Sequence, residues 1–195
     1  MTDRTTIETY SSRARQYQAL EISDMQVQSL AGFLDGLPPG AALLDLGCGP
    51  GHHAAEMQAA GFQVTALDAT PAFVEAARAR GVAARLGSFD DLTETDAYAG
   101  IWASFSLLHA PRADLPRHLR AIATALQPGG RLFLGMKLGQ GEGRDDIGRF
   151  YNYYSESELR TRLAEAGLTV SHVQTGEERG LAGSIDPYIL ITAHG

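Results

Sequence analysis

A short apolar segment that runs directly into a glycine-rich turn is the feature that most restricts how this chain can fold. Residues 43–51 read Leu-Leu-Asp-Leu-Gly-Cys-Gly-Pro-Gly. An apolar run bounded by turn residues is typical of a strand buried on both faces of a parallel sheet. Gly47 and Gly49 allow positive φ and a close approach of a ligand to the backbone, and Gly51 permits tight packing where a helix begins. The segment therefore predicts a strand–turn–helix unit, with a turn that either binds a ligand or serves only as a connection.

Strands and helices alternate along the rest of the chain. Helical spacing covers residues 5–36 in two pieces, and helices are predicted at 51–60, 70–80, 114–126 and 155–166, the last with a capping box of Ser155 and Glu158. Strands are predicted at 41–46, 62–67, 82–86, 98–104, 131–136, 168–174 and 186–193. This order predicts an α/β fold with a doubly wound, mostly parallel seven-stranded sheet and helices on both faces. Because no helix separates the last two strands, we expect an antiparallel C-terminal strand.

The composition argues against several classes of protein. The 195 residues carry a formal net charge of -7 and contain no block of Lys or Arg, so nucleic acid is not an expected partner. Cys48 is the only cysteine, which excludes an intrachain disulfide and a multi-cysteine metal site. The adjacent His52 and His53 point in different directions, so no metal site is predicted. No apolar stretch reaches membrane-spanning length and the start lacks signal-peptide features, so we expect a cytoplasmic protein without a membrane partner.

An acidic residue at the end of the second predicted strand indicates the kind of ligand. Asp68 ends the segment Val-Thr-Ala-Leu-Asp, where a carboxylate can accept hydrogen bonds from both hydroxyls of a ribose. The alternative is an ordinary helix-capping or solvated aspartate. The glycine spacing G-x-G-x-G differs from the dinucleotide pattern G-x-G-x-x-G. Asp45 beside the turn would repel a pyrophosphate but suits a cationic amino group. The pattern therefore favours a cofactor that carries adenosine and an amino acid.

These motifs resemble a known family. The segment LLDLGCGPG followed by VTALD is similar to the nucleotide-binding half of the class I, Rossmann-like S-adenosylmethionine-dependent methyltransferases. Further likeness lies in LGSFDDL (86–92), IWASFSLLH (101–109), LQPGG (126–130) and YSESELRTRLAEAG (154–167). The resemblance implies methyl transfer from S-adenosyl-L-methionine by in-line displacement. Its motifs do not identify the methyl acceptor, for which we expect a small molecule.

The resemblance also implies which residues bind the cofactor. Gly47, Cys48 and Gly49 would line its methionine part, Asp68 would hold the ribose, and Ala69 would pack on the adenine. Ser88 stands where many relatives have Asp, so the adenine amine could be bound by Ser88 or by Asp90. A helix near the N-terminus would close over the cofactor. The complete predicted set is Asp45, Gly47, Cys48, Gly49, Gly51, Asp68, Ala69, Ser88, Phe89, Asp90, Ser104, Tyr10, Arg15 and Tyr17.

The catalytic and acceptor-binding residues are less constrained by sequence. Methyl transfer from a sulfonium mainly requires alignment, and a general base only where the acceptor must lose a proton. His109, which follows the fourth strand, is the candidate base; alternatively, it structures the turn before Pro111. Residues 137–154 combine glycines with aromatic residues, as in a substrate loop or a surface loop anchored by its rings. The candidate acceptor residues in this region are Arg144, Arg149, Tyr151 and Tyr153.

We therefore expect residues 1–195 to form a single methyltransferase domain. It would comprise a helical cap (1–38), a cofactor-binding half (41–136), and a region with the substrate loop, a late helix and the C-terminal strands (137–195). Two alternatives differ in class. One is a protein that binds S-adenosylmethionine without catalysis. The other is an NAD(P)-dependent oxidoreductase, which the glycine spacing and Asp45 disfavour.

Overall fold

The computed structural model describes residues 3–179, 183 and 185–195. Its strands are β1 (Ala42–Leu46), β2 (Gln63–Asp68), β3 (Ala83–Leu86), β4 (Tyr98–Ser104), β5 (Leu126–Lys137), β6 (Glu142–Arg144), β7 (Phe150–Asn152), β8 (Thr169–Arg179) and β9 (Ile185–His194). Its helices are α1 (Arg4–Ser12), α2 (Ala14–Gln18), α3 (Asp24–Leu34), α4 (His52–Ala59), α5 (Pro71–Ala79), α6 (Leu115–Ala125) and α7 (Glu156–Glu165).

The strands form a seven-stranded sheet in the order β3-β2-β1-β4-β5-β9-β8. The neighbouring pairs from β3 to β5 are parallel, and β9 runs antiparallel to both β5 and β8. The predicted fold class is therefore confirmed, including the antiparallel C-terminal strand. Among the residues that the structure describes, no helix has the length and apolar character needed to cross a membrane.

Helices cover both faces of the sheet. On one face, Leu44 of β1 belongs to a buried cluster that includes Leu119 of α6 and Leu163 of α7. On the other face, Leu43 belongs to a cluster with residues of α3, α4 and α5, such as Met57. Successive residues of a strand point to opposite faces, so β1 needs apolar side chains on both sides. This double burial explains the apolar run that precedes the glycine turn.

Several helix ends follow the sequence signals. Pro71 occupies the first turn of α5 and Gly81 follows its end with φ +84°. The capping box predicted at α7 is only half present. Ser155 accepts a hydrogen bond from the backbone N–H of Glu158, but the Glu158 carboxylate pairs with Arg112 instead of returning to the cap. The nearby cation competes successfully for that carboxylate.

Two other predictions about local structure need correction. The N-terminal region forms three helices where two were expected, because α1 and α2 are separated at Arg13. The segment between β5 and α7 forms regular secondary structure and is not merely a surface loop. Its strands β6 and β7 pair antiparallel, with Gly143 opposite Tyr151. We call this element, residues 142–152, the β6–β7 hairpin.

The chain changes direction in the sheet between β1 and β4. From β1 it passes outward through β2 and β3, and it then returns to place β4 on the other side of β1. The loops that leave β1 and β4 therefore diverge, which opens a crevice at the carboxyl ends of these strands. The glycine turn lies at this crevice, and Gly51 follows it with φ +84°. A Cβ on Gly51 would lie 2.7 Å from the Ala77 Cβ, so the glycine allows α4 to pack closely on α5.

This contact predicts that Gly51→Ala is much more destabilising than Gly61→Ala. Both glycines have left-handed φ, +84° and +93°, but nothing lies within 4 Å of a Cβ on Gly61. Gly61→Ala should cost roughly 1 kcal/mol from backbone strain. Gly51→Ala should cost a further 1–3 kcal/mol, roughly, from overpacking against Ala77. Urea unfolding of both variants measures the difference, and equal losses would contradict the packing role of Gly51.

Candidate functional site

A cavity of about 360 Å³ lies at the carboxyl ends of β1, β2 and β4. It gathers residues that are far apart in sequence, from α1 at one end of the chain to β9 at the other. The predicted site residues that line it are Tyr10, Tyr17, Gly47, Cys48, Gly49, Asp68, Ala69, Ser88, Phe89, Ser104, His109, Arg149 and Tyr151. The fold thus brings most of the predicted set together at the crevice.

The carboxylate of Asp68 organises the glycine turn. Its Oδ2 accepts a hydrogen bond from the Gly49 N–H at 2.9 Å, and its Oδ1 accepts from the Thr70 N–H at 2.7 Å. Burial raises the pKa of Asp68, and these two backbone donors oppose that shift. Asp68 lines the cavity while each of its oxygens accepts a backbone N–H, which fixes its position beside the turn.

The glycine turn and the loop after β4 touch across the crevice. Ser106 donates a hydrogen bond from its Oγ to the Leu46 carbonyl at 2.6 Å. A Cβ on Gly47 would lie only 2.2 Å from the Ser106 Cβ. Gly47, with φ +79°, therefore has to be a glycine for both loops to fit. Cys48, the next residue, has its thiol pKa raised by burial, which disfavours a nucleophilic thiolate.

Asp45 lies behind the turn and is not part of the cavity wall. Its side chain is buried, and its Oδ2 has no hydrogen-bond partner among the residues that the structure describes. Burial and the nearby charge of Asp68 raise the pKa of Asp45 to about 8. His53 Nε2 and Trp102 Nε1 are also buried without partners, and the two rings lie 5.3 Å apart. Burial lowers the pKa of His53 to about 4, so it is neutral at physiological pH.

The turn after β3 supplies one end of the cavity. Ser88 and Phe89 line it, but the Ser88 side chain caps its own turn by accepting from the Asp90 N–H and donating to Asp91. Asp90 does not line the cavity, contrary to its predicted role. Its carboxylate instead pairs with the guanidinium of Arg117, which lowers the pKa of Asp90.

His109 is tied into the site through both ring nitrogens. The Phe150 carbonyl lies 2.6 Å from Nδ1, and a carbonyl can only accept, so Nδ1 carries the proton. Nε2 therefore accepts the hydrogen bond from the Tyr10 hydroxyl, also at 2.6 Å. Burial lowers the pKa of His109 to about 4, so its ring is neutral at physiological pH. His109 joins α1 to the β6–β7 hairpin at the cavity wall.

Arg149 makes a second link between the same segments. It is buried and forms an ion pair with Asp145, with its Nη2 2.7 Å from the carboxylate. Its Nη1 donates to the Tyr17 hydroxyl at 2.6 Å. The Tyr10 and Tyr17 rings meet edge to face at 5.1 Å, and both pack against Phe73. Tyr10 of α1 and Tyr17 of α2 therefore both direct their rings into the cavity.

Four further predicted residues lie outside the cavity wall. Arg15 is exposed on α2 and borders a separate surface depression. Arg144 pairs with both oxygens of Asp3, at 2.9 and 2.8 Å, and so fastens the hairpin to the start of α1. Tyr153 stacks on Tyr151 from the outer side. Gly51 acts through helix packing. The predicted direct roles of Arg15, Arg144 and Tyr153 at the site are not supported.

Some cavity residues were missed from sequence. Phe73, Phe105, Lys137, Asp186 and Tyr188 all line the cavity. Their position in the sequence could have indicated two of them, because Phe105 directly follows β4 and Lys137 ends β5. In the described part of the chain, no group of three or more His, Cys, Asp or Glu side chains is placed to hold a metal ion.

Comparison with known proteins assigns the chain to a family. A family model described as a methyltransferase domain matches residues 14–173. This match covers most of the chain, including the glycine turn, much of the cavity wall and α7. The chain therefore belongs to the methyltransferase domain family, as the motif resemblance predicted.

Individual relatives share only part of this likeness. The chain is 38% identical over 103 residues to a ubiquinone biosynthesis O-methyltransferase of Xanthomonas oryzae pv. oryzae, a match that covers 49% of this chain and 42% of that protein. The chain thus spans less than half the length of the curated relatives it matches.

Solved structures show the same fold across nearly the whole chain. One is the 1,6-didemethyltoxoflavin-N1-methyltransferase of Burkholderia thailandensis with bound S-adenosylhomocysteine, with a TM-score of 0.76, 23% identity, and coverage of 97% of this chain and 87% of that one. Another is the [4+2]-cyclase SpnF, with a TM-score of 0.71, 19% identity, and coverage of 91% and 84%. At these identities the likeness concerns the fold alone.

The raised pKa of Asp45 predicts a pH-dependent cost to stability. Between about pH 4, near the unfolded value, and about pH 8, the folded state holds a proton that the unfolded state has lost. The free energy of unfolding should therefore fall as pH rises, by about 1.4 kcal/mol per unit within this window. Asp45→Asn should remove this contribution.

Urea unfolding of the wild type and Asp45→Asn between pH 6.5 and 8 measures that difference. The titration of His53 and His109 affects both proteins alike, so it cancels in the difference between variant and wild type. The difference in unfolding free energy between variant and wild type should grow with pH. A difference that is independent of pH would contradict the buried, protonated Asp45.

Proposed function

We propose that this chain is an S-adenosylmethionine-dependent methyltransferase that acts on a small-molecule acceptor. The observation that carries the proposal is the placement of Asp68 beside the glycine turn, at the crevice between β1 and β4. Membership of the methyltransferase domain family supports it. The bound S-adenosylhomocysteine of the Burkholderia thailandensis enzyme supports the same cofactor class.

The residues around the cavity fit the parts of this cofactor. Asp68 can accept from ribose hydroxyls, and Ala69, Ser88 and Phe89 lie together where an adenine would follow the ribose. At Gly47 and Gly49 the turn presents backbone without side-chain bulk to the methionine portion. The unpartnered Oδ2 of Asp45 lies behind this turn, as the predicted partner of a cationic amino group. When bound, S-adenosylmethionine supplies a methyl group activated by a positively charged sulfur.

The protein's own part in the reaction is to orient the acceptor and exclude water. Tyr10, Tyr17 and Phe73 pack together as an aromatic part of the cavity wall. His109 stays the candidate general base, because it lines the cavity and its ring is neutral at physiological pH. Its Nε2 is held by the Tyr10 hydroxyl, so this base becomes available when an acceptor displaces or replaces that hydroxyl.

The size and composition of the cavity support a small acceptor. A volume of about 360 Å³ and an aromatic lining suit a small molecule better than a nucleic acid. The name of the Xanthomonas oryzae relative supports oxygen as the methylated atom. The three-part arrangement of a cap, a cofactor-binding half and an acceptor region within one domain belongs to the same proposal. A cytoplasmic location stays a prediction.

A second candidate function is binding of the cofactor without methyl transfer. The shared fold of SpnF favours keeping this candidate, because that protein is a [4+2]-cyclase. Turnover separates the two. Incubating the protein with S-adenosylmethionine and a panel of phenols, enols and amines should release S-adenosylhomocysteine with at least one acceptor, measured by mass spectrometry.

Stabilisation by cofactors tests the ligand class independently of turnover. S-adenosylhomocysteine should raise the melting temperature, and NADH should leave it unchanged. Stabilisation by NADH alone would overturn the methyltransferase proposal in favour of an oxidoreductase. Stabilisation by S-adenosylhomocysteine without turnover on any acceptor would favour the non-catalytic candidate.

The ribose role of Asp68 predicts a selective loss of cofactor affinity. Asp68→Asn replaces an acceptor-only carboxylate with an amide and should weaken S-adenosylhomocysteine binding by about tenfold or more. Isothermal titration calorimetry measures this loss. Asp91→Asn is the matched control, because Asp91 likewise accepts from a backbone N–H in a turn after a strand but does not line the cavity.

The control should change the dissociation constant by less than about twofold. Equal losses in the two variants would show that Asp68 acts only through the fold of its turn. Unchanged affinity in Asp68→Asn would remove the ribose assignment.

A further inference from the structure

Lys137 is the sole lysine of the sequence, and the fold places it in the cavity wall. It is the last residue of β5 and lies opposite Tyr188 of β9 in the register. Its side chain is only 15% exposed. The ammonium group forms an ion pair with the carboxylate of Asp186 and lies 4.2 Å from the centre of the Tyr151 ring. The chain therefore holds a mostly buried cation at the acceptor side of the crevice.

The other cation of the cavity wall is already engaged. Arg149 directs its Nε and Nη2 to Asp145, and its Nη1 to the Tyr17 hydroxyl. These contacts use three N–H directions of the planar guanidinium and fix it as a link between segments. Lys137 differs, because an ammonium has three donors and its carboxylate partner is bound through one oxygen, Oδ2. Lys137 thus keeps donor capacity toward the cavity.

Aromatic side chains lie in the same cavity wall as this ammonium. Tyr151 lies beneath it, and Tyr188 and Phe105 meet edge to face at 6.1 Å in the same cavity wall. Phe105 has φ +52°, a conformation that is costly for a bulky residue. The hydrogen bond from its N–H to the Gly135 carbonyl at 3.0 Å holds it there. Such strain is typical of positions where a side chain must be presented to a ligand.

We propose that Lys137 is the anion-binding residue of the acceptor site, and that the acceptor is a planar phenol or enol bound as its oxyanion. This inference rests on the proposed function and names its substrate class. The aromatic side chains would contact the ring, and the ammonium would lie beside the ionised oxygen. The proton that the hydroxyl loses passes to solvent, while Lys137 stays charged. An oxyanion needs no further deprotonation, so this acceptor would not depend on His109 as a base.

The charged groups near Lys137 determine how strongly it can favour an anionic acceptor. Asp186 offsets part of its charge, and Glu178 of β8 also lines the cavity. Arg149, which pairs with Asp145, adds positive charge 5.2 Å from the Tyr151 ring, and His109 is neutral. Because the Lys137–Asp186 pair is largely removed from water, its remaining interaction with an anion is screened less than at the surface.

The ionisation state of a bound dye tests this assignment. 4-Nitrophenol is a planar phenol whose anion absorbs visible light, so its absorbance reports which form is bound. In the protein loaded with S-adenosylhomocysteine, the bound dye should ionise about one pH unit lower than free dye, a tenfold preference for the anion. Lys137→Met should abolish this shift, and Lys137→Arg should largely restore it because the charge is kept. Arg160→Met is the control, since Arg160 is exposed and pairs with Glu156 on α7, outside the cavity.

Each outcome bears on one proposal. A shift that survives in Lys137→Met, or a wild-type protein that binds the dye without preferring its anion or does not bind it at all, overturns the role of Lys137. Calorimetry with S-adenosylhomocysteine on the same samples shows whether Lys137→Met keeps the folded cofactor site. A wild-type protein that binds S-adenosylhomocysteine but does not shift the ionisation of the dye rejects this inference alone. A wild-type protein that fails to bind the cofactor rejects the proposed function.

Discussion

The divergence of the loops after β1 and β4 is the constraint on which the rest of the site depends. Because β1 is central and the chain reaches its two neighbours through connections that run in opposite directions, the loops after β1 and β4 diverge and open a crevice at their carboxyl ends. The two loops still have to meet at its base. They do so through the hydrogen bond from Ser106 to the Leu46 carbonyl, which leaves no room for a side chain on Gly47. The opening and its glycine turn are thus consequences of one topological feature.

The cavity is closed by segments from two distant parts of the chain. The N-terminal helices and the β6–β7 hairpin are joined by the Tyr10–His109, Tyr17–Arg149 and Asp3–Arg144 contacts. Two of these three links line the cavity itself. A ligand that displaces the Tyr10 or Tyr17 hydroxyl will therefore affect the position of both segments. Burial raises the pKa of Tyr10, which keeps its hydroxyl protonated as the donor in this network.

The electrostatics differ between the two ends of the cavity. Near the glycine turn lie the carboxyl groups of Asp45 and Asp68, whose pKa values are raised by burial. This end suits a ligand with cationic or hydroxyl groups. At the opposite end, Lys137 and Arg149 each face the cavity with a carboxylate partner. A cationic cofactor at the first end and an anionic acceptor at the second would attract each other, and this attraction would favour their close approach.

The sequence by itself determined the order of strands and helices, the parallel sheet, and the position of Asp68 beside the glycine turn. Apolar runs and turn residues determine structure locally, and an acidic residue that ends a strand lies at the edge of the sheet regardless of its neighbours. Tertiary structure alone decided which long side chains reach the cavity. Arg144 was a candidate and instead pairs with Asp3, whereas Lys137 was not one and lines the wall. The direction of a flexible side chain depends on partners that folding brings from elsewhere in the chain, and no local pattern records them.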